Sequence, residues 1–308
     1  MKDIILNLRC LGNTTSNINY IMNNIDIKNI NDKTLCDEIN RLSYINPKIK
    51  KVSMEKLKYS QEKTYEFIQQ NNRLNINYID ILDTLYPQQL RNIKNPPPIL
   101  FYKGNINLLS NPNKVAIVGT RKPRCEALEF SYESSSYFSS NGFCVVSGLA
   151  KGCDEISHRA CVENKSQTIA VLPSGLDEIY PASNNDLAQK IIETNGCIIS
   201  EYLVGENINK QNFLNRNKIQ SAISKGILVC ECSKSSGTMQ TVNFSKMQNK
   251  IIGCSNIQSS GNIKIIKEGA MIVDKDNIED FKEKLINTKT QIINKTHSTQ
   301  MVFETLYK

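Results

Sequence analysis

Gly119, Thr120 and Arg121 follow directly on the apolar run Val115-Ala116-Ile117-Val118. Glycine lets a backbone turn sharply where a strand ends. The helix expected next would aim its first N–H groups and its positive dipole end back across that turn, which attracts anions. Thr120 adds a hydroxyl, Arg121 a guanidinium and Lys122 a second cation. The chemistry these residue types support is the holding of a phosphate.

Further groups of this kind recur down the chain. Ser147-Gly148-Leu149-Ala150-Lys151-Gly152 follows the run FCVVS, and Ser236-Gly237-Thr238 follows ILVCE. Phe213, Arg216, Asn217 and Lys218 set an aromatic ring beside two cations and an amide. Rings stack bases, and Arg and Lys hold phosphates; Phe213 alone reads equally well as a core anchor at a helix start. Asp154 and His158 lie at i, i+4 on one helical face. They form either an acid–base couple or a structural pair. We take the structural reading, with Asp154 capping the helix and orienting nearby loops.

The elements that must position these groups are legible as apolar runs. Strands are expected at 99–102, 114–118, 143–147, 168–172, 197–200, 227–231 and 250–254, and a helix at 125–141 before Gly142. Strands that alternate with helices imply right-handed βαβ units. The fold class is therefore α/β, a doubly wound, mostly parallel sheet, with a small N-terminal helical domain. In such sheets ligands bind outside the carboxyl ends of the strands, where the glycines and small polar residues collect. Residues 1–80 are expected as the helical accessory domain, with Leu35, Ile39, Leu42 and Ile45 at helical spacing. Residues 81–285 form the sheet domain and 286–308 a short polar tail.

The 308 residues carry a net charge of +8, which suits an acidic partner such as nucleic acid. The ten cysteines include no CxxC pair, so no metal is expected. The N-terminus is too polar for a signal peptide, and no apolar run is long enough to span a bilayer. A cytoplasmic protein with reduced thiols and no membrane partner is expected. The turn VGTRKP lacks GxGxxG, and GxxxxGK[ST] is absent, so neither a dinucleotide cofactor nor a P-loop ATPase is expected. No cofactor is expected.

In order, VGTR, VVSGLAKGCDEISHRA, TIAVLPSGLDEIYP, ISEY, NFLNRNKI, SSGT and the later SGN and EGA resemble the DNA-processing protein A family, DprA, also called Smf, over about residues 81–275. The resemblance implies an extended Rossmann-like domain that binds single-stranded DNA, forms a homodimer and loads the recombinase RecA during natural transformation. The Arg of the family's first turn falls on Arg121. Its F-x-x-R-N-R block falls on Phe213, Arg216, Asn217 and Lys218, with Lys218 where the family usually has Arg. Cys125-Glu126 replaces the family's tyrosine–glycine, and Gly253-Cys254-Ser255 its proline–glycine. The winged-helix module of many members is expected to be missing.

A rival reading is a nucleoside-monophosphate enzyme that cleaves an N-glycosidic bond. Related Rossmann-like hydrolases use a G-T-x-x-E turn, and Gly237-Thr238-Met239-Gln240-Thr241 puts Thr241 in place of the glutamate. Such hydrolysis needs a carboxylate to stabilise charge on the sugar. Glu201 and Glu231 are the candidates to substitute. No catalytic residue is assigned, and a binding protein is the expectation.

Overall fold

Alternate residues of each central strand enter opposite apolar clusters. In the strand at 168–171, Ile169 and Val171 face one cluster and Ala170 the other. Both faces are thus covered, which is why these strands read as unbroken apolar runs. The computed structural model describes residues 3–288. Four helices come first: α1 (Ile4–Cys10), α2 (Thr15–Asn24), α3 (Asp32–Ile45) and α4 (Met54–Arg73). Strand β1 (Asn77–Asp80) and the short α5 (Gln88–Arg91) lead to β2 (Ile99–Gly104). The βα units follow as β3 (Lys114–Val118), α6 (Cys125–Ser140), β4 (Cys144–Ser147), α7 (Cys153–Glu163), β5 (Thr168–Val171), α8 (Asn185–Glu193) and β6 (Cys197–Ser200). The chain continues through α9 (Lys210–Ile223), β7 (Gly226–Val229), α10 (Gly237–Met247), β8 (Ile251–Cys254), α11 (Ser260–Lys267), β9 (Met271–Ile272) and α12 (Ile278–Asn287).

The strands form one nine-stranded sheet in the order β1-β2-β6-β5-β4-β3-β7-β8-β9. From β6 to β9 every pairing is parallel; β2 joins β6 and β1 joins β2 antiparallel. The winding direction reverses between β3 and β7, so the crevice for a ligand opens there. The expected strands are present, each to within two residues. β1 and the two-residue β9 were not expected. In β1 only Ile79 is buried, so it offers no apolar run to read.

The N-terminal helices do not stand apart from the sheet. Ile18, Ile21, Leu35, Ile39 and Leu57 share an apolar cluster with Phe101, Leu187 and Ile198. Phe67 meets Phe101 edge-on at 5.6 Å. Arg9 forks onto both carboxylate oxygens of Glu206, at 2.9 and 2.7 Å. β1 lies inside the expected 1–80 unit yet is the edge strand of the sheet. Of the expected tail, residues 289–308 lie outside the described residues. No helix among the described residues is long and apolar enough to cross a membrane.

At the edge of the sheet opposite the crevice lie two lysines, Lys114 buried and Lys250 half-buried. The Lys114 ammonium donates to the carbonyls of Leu109, at 2.8 Å, and Asn111. Lys250 donates to Ala222 and Ser224 carbonyls at 3.0 and 2.6 Å, closing the end of α9. Burial pushes both groups down to about 8 from 10.5. Between those values the unfolded chain binds more protons, so each lysine makes stability rise with pH from about 8 to 10.5, by at most about 1.4 kcal/mol per pH unit. Lys114→Met should flatten its share of that rise. Urea unfolding at stepped pH on both proteins checks the difference in slope.

Candidate functional site

The crevice is built from three loops that bind one another through the backbone. The Thr120 amide donates to the Glu231 carbonyl at 2.8 Å, and the Cys153 amide to the Thr120 carbonyl at 3.2 Å. The Thr238 hydroxyl donates to the Gly119 carbonyl at 2.9 Å. The turn after β3, the turn before α7 and the start of α10 thus form one rim. Gly152 makes this closeness feasible. Its φ is +82°, and a Cβ there would stand 2.6 Å from the Thr120 carbonyl oxygen. Lys151, exposed beside Gly152, therefore neighbours Arg121.

Arg121 and Lys122 are exposed. The Arg121 guanidinium lies 5.1 Å from the centroid of the Phe213 ring. Tyr180 meets the same ring edge-on, at 5.6 Å and 71°, and is 41% exposed. Phe213 is half-buried and sits in the first turn of α9, whose N-cap Asn209 accepts from the Gln211 and Asn212 amides. Asn212 fixes that turn to the exit of β5 by donating to the Pro173 carbonyl at 2.9 Å. A cation over a ring is worth about 0.5–1 kcal/mol at an exposed site. It leaves guanidinium N–H groups free for an anion, and one edge of the aromatic pair free for a base.

Behind this rim lies a buried ion pair. Arg216 Nη1 stands 3.3 Å from Asp154 Oδ2, with side-chain exposures of 6% and 8%. Burial pushes the Asp154 carboxyl above its ordinary value, while the charge and hydrogen bond of Arg216 pull it down. Burial also lowers Arg216; Asp154 opposes that and the charge of Arg121 adds to it. One carboxylate therefore serves near two guanidiniums, which leaves a positive surplus at the crevice. Gly148 is the residue that admits the pair: a Cβ there would fall 1.0 Å from Arg216 Nη1.

Several expected site residues have other duties. Asp154 does not cap α7, because Gly152 holds the cap position and Asp154 is drawn to Arg216. His158 shares no bond with Asp154; its Nδ1 meets the Thr168 hydroxyl at 2.9 Å. Burial, and then Arg216, push its pKa down to about 3, so it is neutral near pH 7. The Ser147 hydroxyl is turned into the sheet and donates to the Ile117 carbonyl at 2.7 Å. Lys218 is engaged by the loop before β2, donating to the Asn95 carbonyl at 2.9 Å. Arg216 is spent on Asp154, and Asn217 donates to the Gly237 carbonyl at 3.2 Å, tying α9 to α10. The groups that remain open are Thr120, Arg121, Lys122, Phe213 and the turn at Ser236–Gly237, where the space beside Gly237 is empty. The reading from sequence missed Tyr180 as a partner of Phe213. The Tyr180-Pro181 dipeptide in the loop after the strand at 168–172 was the available signal.

The carboxylates of the rival reading are also placed. Thr241 is buried on α10. Glu231 accepts from the Arg124 amide at 2.9 Å and pairs with its guanidinium at 3.3 Å. Glu201 is buried, and burial raises its pKa. Among the described residues no three His, Cys, Asp or Glu side chains gather as a metal site requires.

Comparison with known proteins gives a family. The model of DNA recombination-mediator protein A matches residues 77–285. The chain is 33% identical to Protein Smf of Synechocystis sp. over 224 residues, which is 68% of this chain and 56% of that protein. It spans little more than half the length of that curated relative. Among solved structures it is similar to DNA processing protein A (DprA) of Streptococcus pneumoniae, with TM-score 0.70, 28% identity, and coverage of 87% of this chain and 93% of that one. It is also similar to DNA processing protein A of Helicobacter pylori, with TM-score 0.62, 29% identity, and coverage of 68% and 95%. The Helicobacter structure is described by its single-stranded DNA binding mode.

Removing Asp154 should be costly, because it strands a buried guanidinium. Asp154→Ala is expected to lower unfolding stability by about 3–5 kcal/mol, whereas Lys122→Ala, at an exposed site, should change it by less than about 0.5. Chemical denaturation of the two variants beside the parent checks this.

Proposed function

We propose that this chain, which belongs to the DNA recombination-mediator protein A family, holds single-stranded DNA across the carboxyl ends of β3, β4 and β7. The observation that carries the reading is Arg121 lying over Phe213 with Tyr180 against the same ring. A phosphate meets the exposed guanidinium, and a base stacks on the aromatic pair. Thr120, Lys122 and the backbone amides of Gly237 and Thr238 at the start of α10 supply the adjoining donors. Arg216, Asn217 and Asp154 act as positioning residues: they hold α9, and with it Phe213, at the crevice. Gly119, Gly148 and Gly152 give the backbone room to do so. The reading includes the recombinase RecA as partner, a homodimer, and a cytoplasmic setting in DNA processing. No base edge is read by any of these groups, so little sequence preference is expected.

Binding without turnover fits the placement of the carboxylates. Glu231 is engaged by Arg124, Glu201 is buried, and Thr241 cannot stabilise a sugar cation. Incubation with the common nucleoside monophosphates and ATP should release neither base nor phosphate. Steady release above that of a Gly237→Asp variant would favour the hydrolase reading instead.

Arg121→Ala decides the phosphate site. A charge-assisted hydrogen bond contributes about 1.5–3 kcal/mol, so affinity for a single-stranded oligonucleotide should fall about tenfold to a hundredfold. The slope of log affinity against log salt should become shallower by about 0.7. Stability should drop by no more than about 1 kcal/mol, the contact with Phe213. Arg121→Lys should recover only part of the affinity, since a point charge lacks the planar fork. A salt titration and a melting curve on the same preparations test this. A melting loss with an unchanged salt slope would remove the phosphate site.

A further inference from the structure

We propose a second contact for single-stranded DNA on the N-terminal helices, formed by Tyr44, Lys48, Lys50 and Lys51. It rests on the reading of the sheet-edge crevice as a single-strand site. Residues 46–58 hold five lysines and a single carboxylate, Glu55. The loop between α3 and α4 presents three of them in a fixed way. Ile49 and Val52 point inward, 2% and 5% exposed, and Lys48, Lys50 and Lys51 point outward. The Asn40 side chain clamps Val52 from both sides, donating to its carbonyl at 2.9 Å and accepting from its amide at 2.8 Å. Asn17 of α2 donates to the Lys48 carbonyl at 2.9 Å. The cations are thus mounted on an ordered backbone and are not the ends of a loose segment.

An aromatic ring completes the patch. Tyr44, at the end of α3, is 75% exposed. The Lys51 ammonium lies 4.1 Å from its ring centroid and donates to its hydroxyl at 2.9 Å. Beside it Ile45 is 63% exposed. No ion pair engages Lys48, Lys50 or Lys51 among the described residues, and the nearby Glu38 is taken by Arg41 at 2.7 Å. This repeats the chemistry of Arg121 over Phe213: a cation held on a ring, with free donors for a phosphate and a free ring surface for a base.

The two places are joined through α2. Asn17 binds the lysine loop; two residues on, Asn19 donates to Asn95 Oδ1 at 2.9 Å and to the Pro96 carbonyl at 2.8 Å. Lys218 of α9 donates to the Asn95 carbonyl. One helix and one loop therefore separate the lysines from the helix that carries Phe213. A strand leaving the crevice past α9 would meet them.

The test compares oligo(dT) of about 8 nucleotides, within the span of one groove, with one of about 30. The triple variant Lys48→Ala/Lys50→Ala/Lys51→Ala should weaken the long oligonucleotide about tenfold and make its salt slope shallower by up to about 2, three phosphate contacts at about 0.7 each. Affinity for the short one should stay within about twofold. Tyr44→Ala should weaken only the long one, and ultraviolet crosslinking of the long oligonucleotide to the parent protein should mark the peptide holding Tyr44. All four side chains are exposed, so the melting curves should superpose. An unchanged affinity for the long oligonucleotide, or an equal loss at both lengths, overturns the proposal. So does displacement of polyglutamate by the triple substitution with no effect on DNA, which would assign the patch to an acidic protein. Arg121→Ala should weaken both lengths; if it weakens neither, it is the crevice reading that fails, and the two failures are distinguishable.

Discussion

The buried pair of Asp154 and Arg216 is the contact on which the crevice depends. It joins α7, which follows β4, to α9, which precedes β7, across the point where the sheet reverses its winding. Two charges out of water are costly, and here the cost is offset by their mutual attraction. The arrangement leaves no room for a side chain at residue 148. Because Arg216 and Phe213 lie one turn apart on α9, anchoring the first sets where the second emerges. The ring then meets Arg121, which a separate loop supplies. Displacing the pair would move α9, and the ring, the guanidinium and the start of α10 would no longer converge.

The pair also sets the charge of the site. Asp154 faces Arg216 and feels Arg121, so the crevice keeps a net positive character although a carboxylate lies beneath it. The other acids at the strand ends do not cancel this: Glu231 is engaged by Arg124, and burial favours the neutral form of Glu201. What remains at the surface are guanidinium and ammonium groups, backbone amides and two rings. Such groups can hold a phosphate and stack on a base.

The N-terminal helices extend this organisation and do not merely append to it. They share core residues with β2, β5 and β6, and α2 reaches the loop that Lys218 touches. Arg9 braces Glu206 in the segment that leads into α9. The helix bearing Phe213 is thus held from two sides, by Asp154 within the sheet domain and by the helices outside it.

Much of the sheet was determined by the sequence itself. Runs such as Val115–Val118 and Thr168–Val171 are apolar on both faces, and that pattern is a local property which burial between two layers of helices requires. The turn at Gly119–Arg121 was legible for the same reason, since strand end, glycine and cation are neighbours in the chain. β1 escaped notice because an edge strand buries one residue and leaves no run. The partners of Asp154, Ser147 and Lys218 were not readable either. Asp154 and Arg216 are 62 residues apart, and which cation reaches the carboxylate depends on how helices pack and on what each charge loses in leaving water. Residue type supplied the candidates at the strand ends. Only the tertiary structure decided which were spent in holding the crevice together and which, Arg121 foremost, were left facing outward.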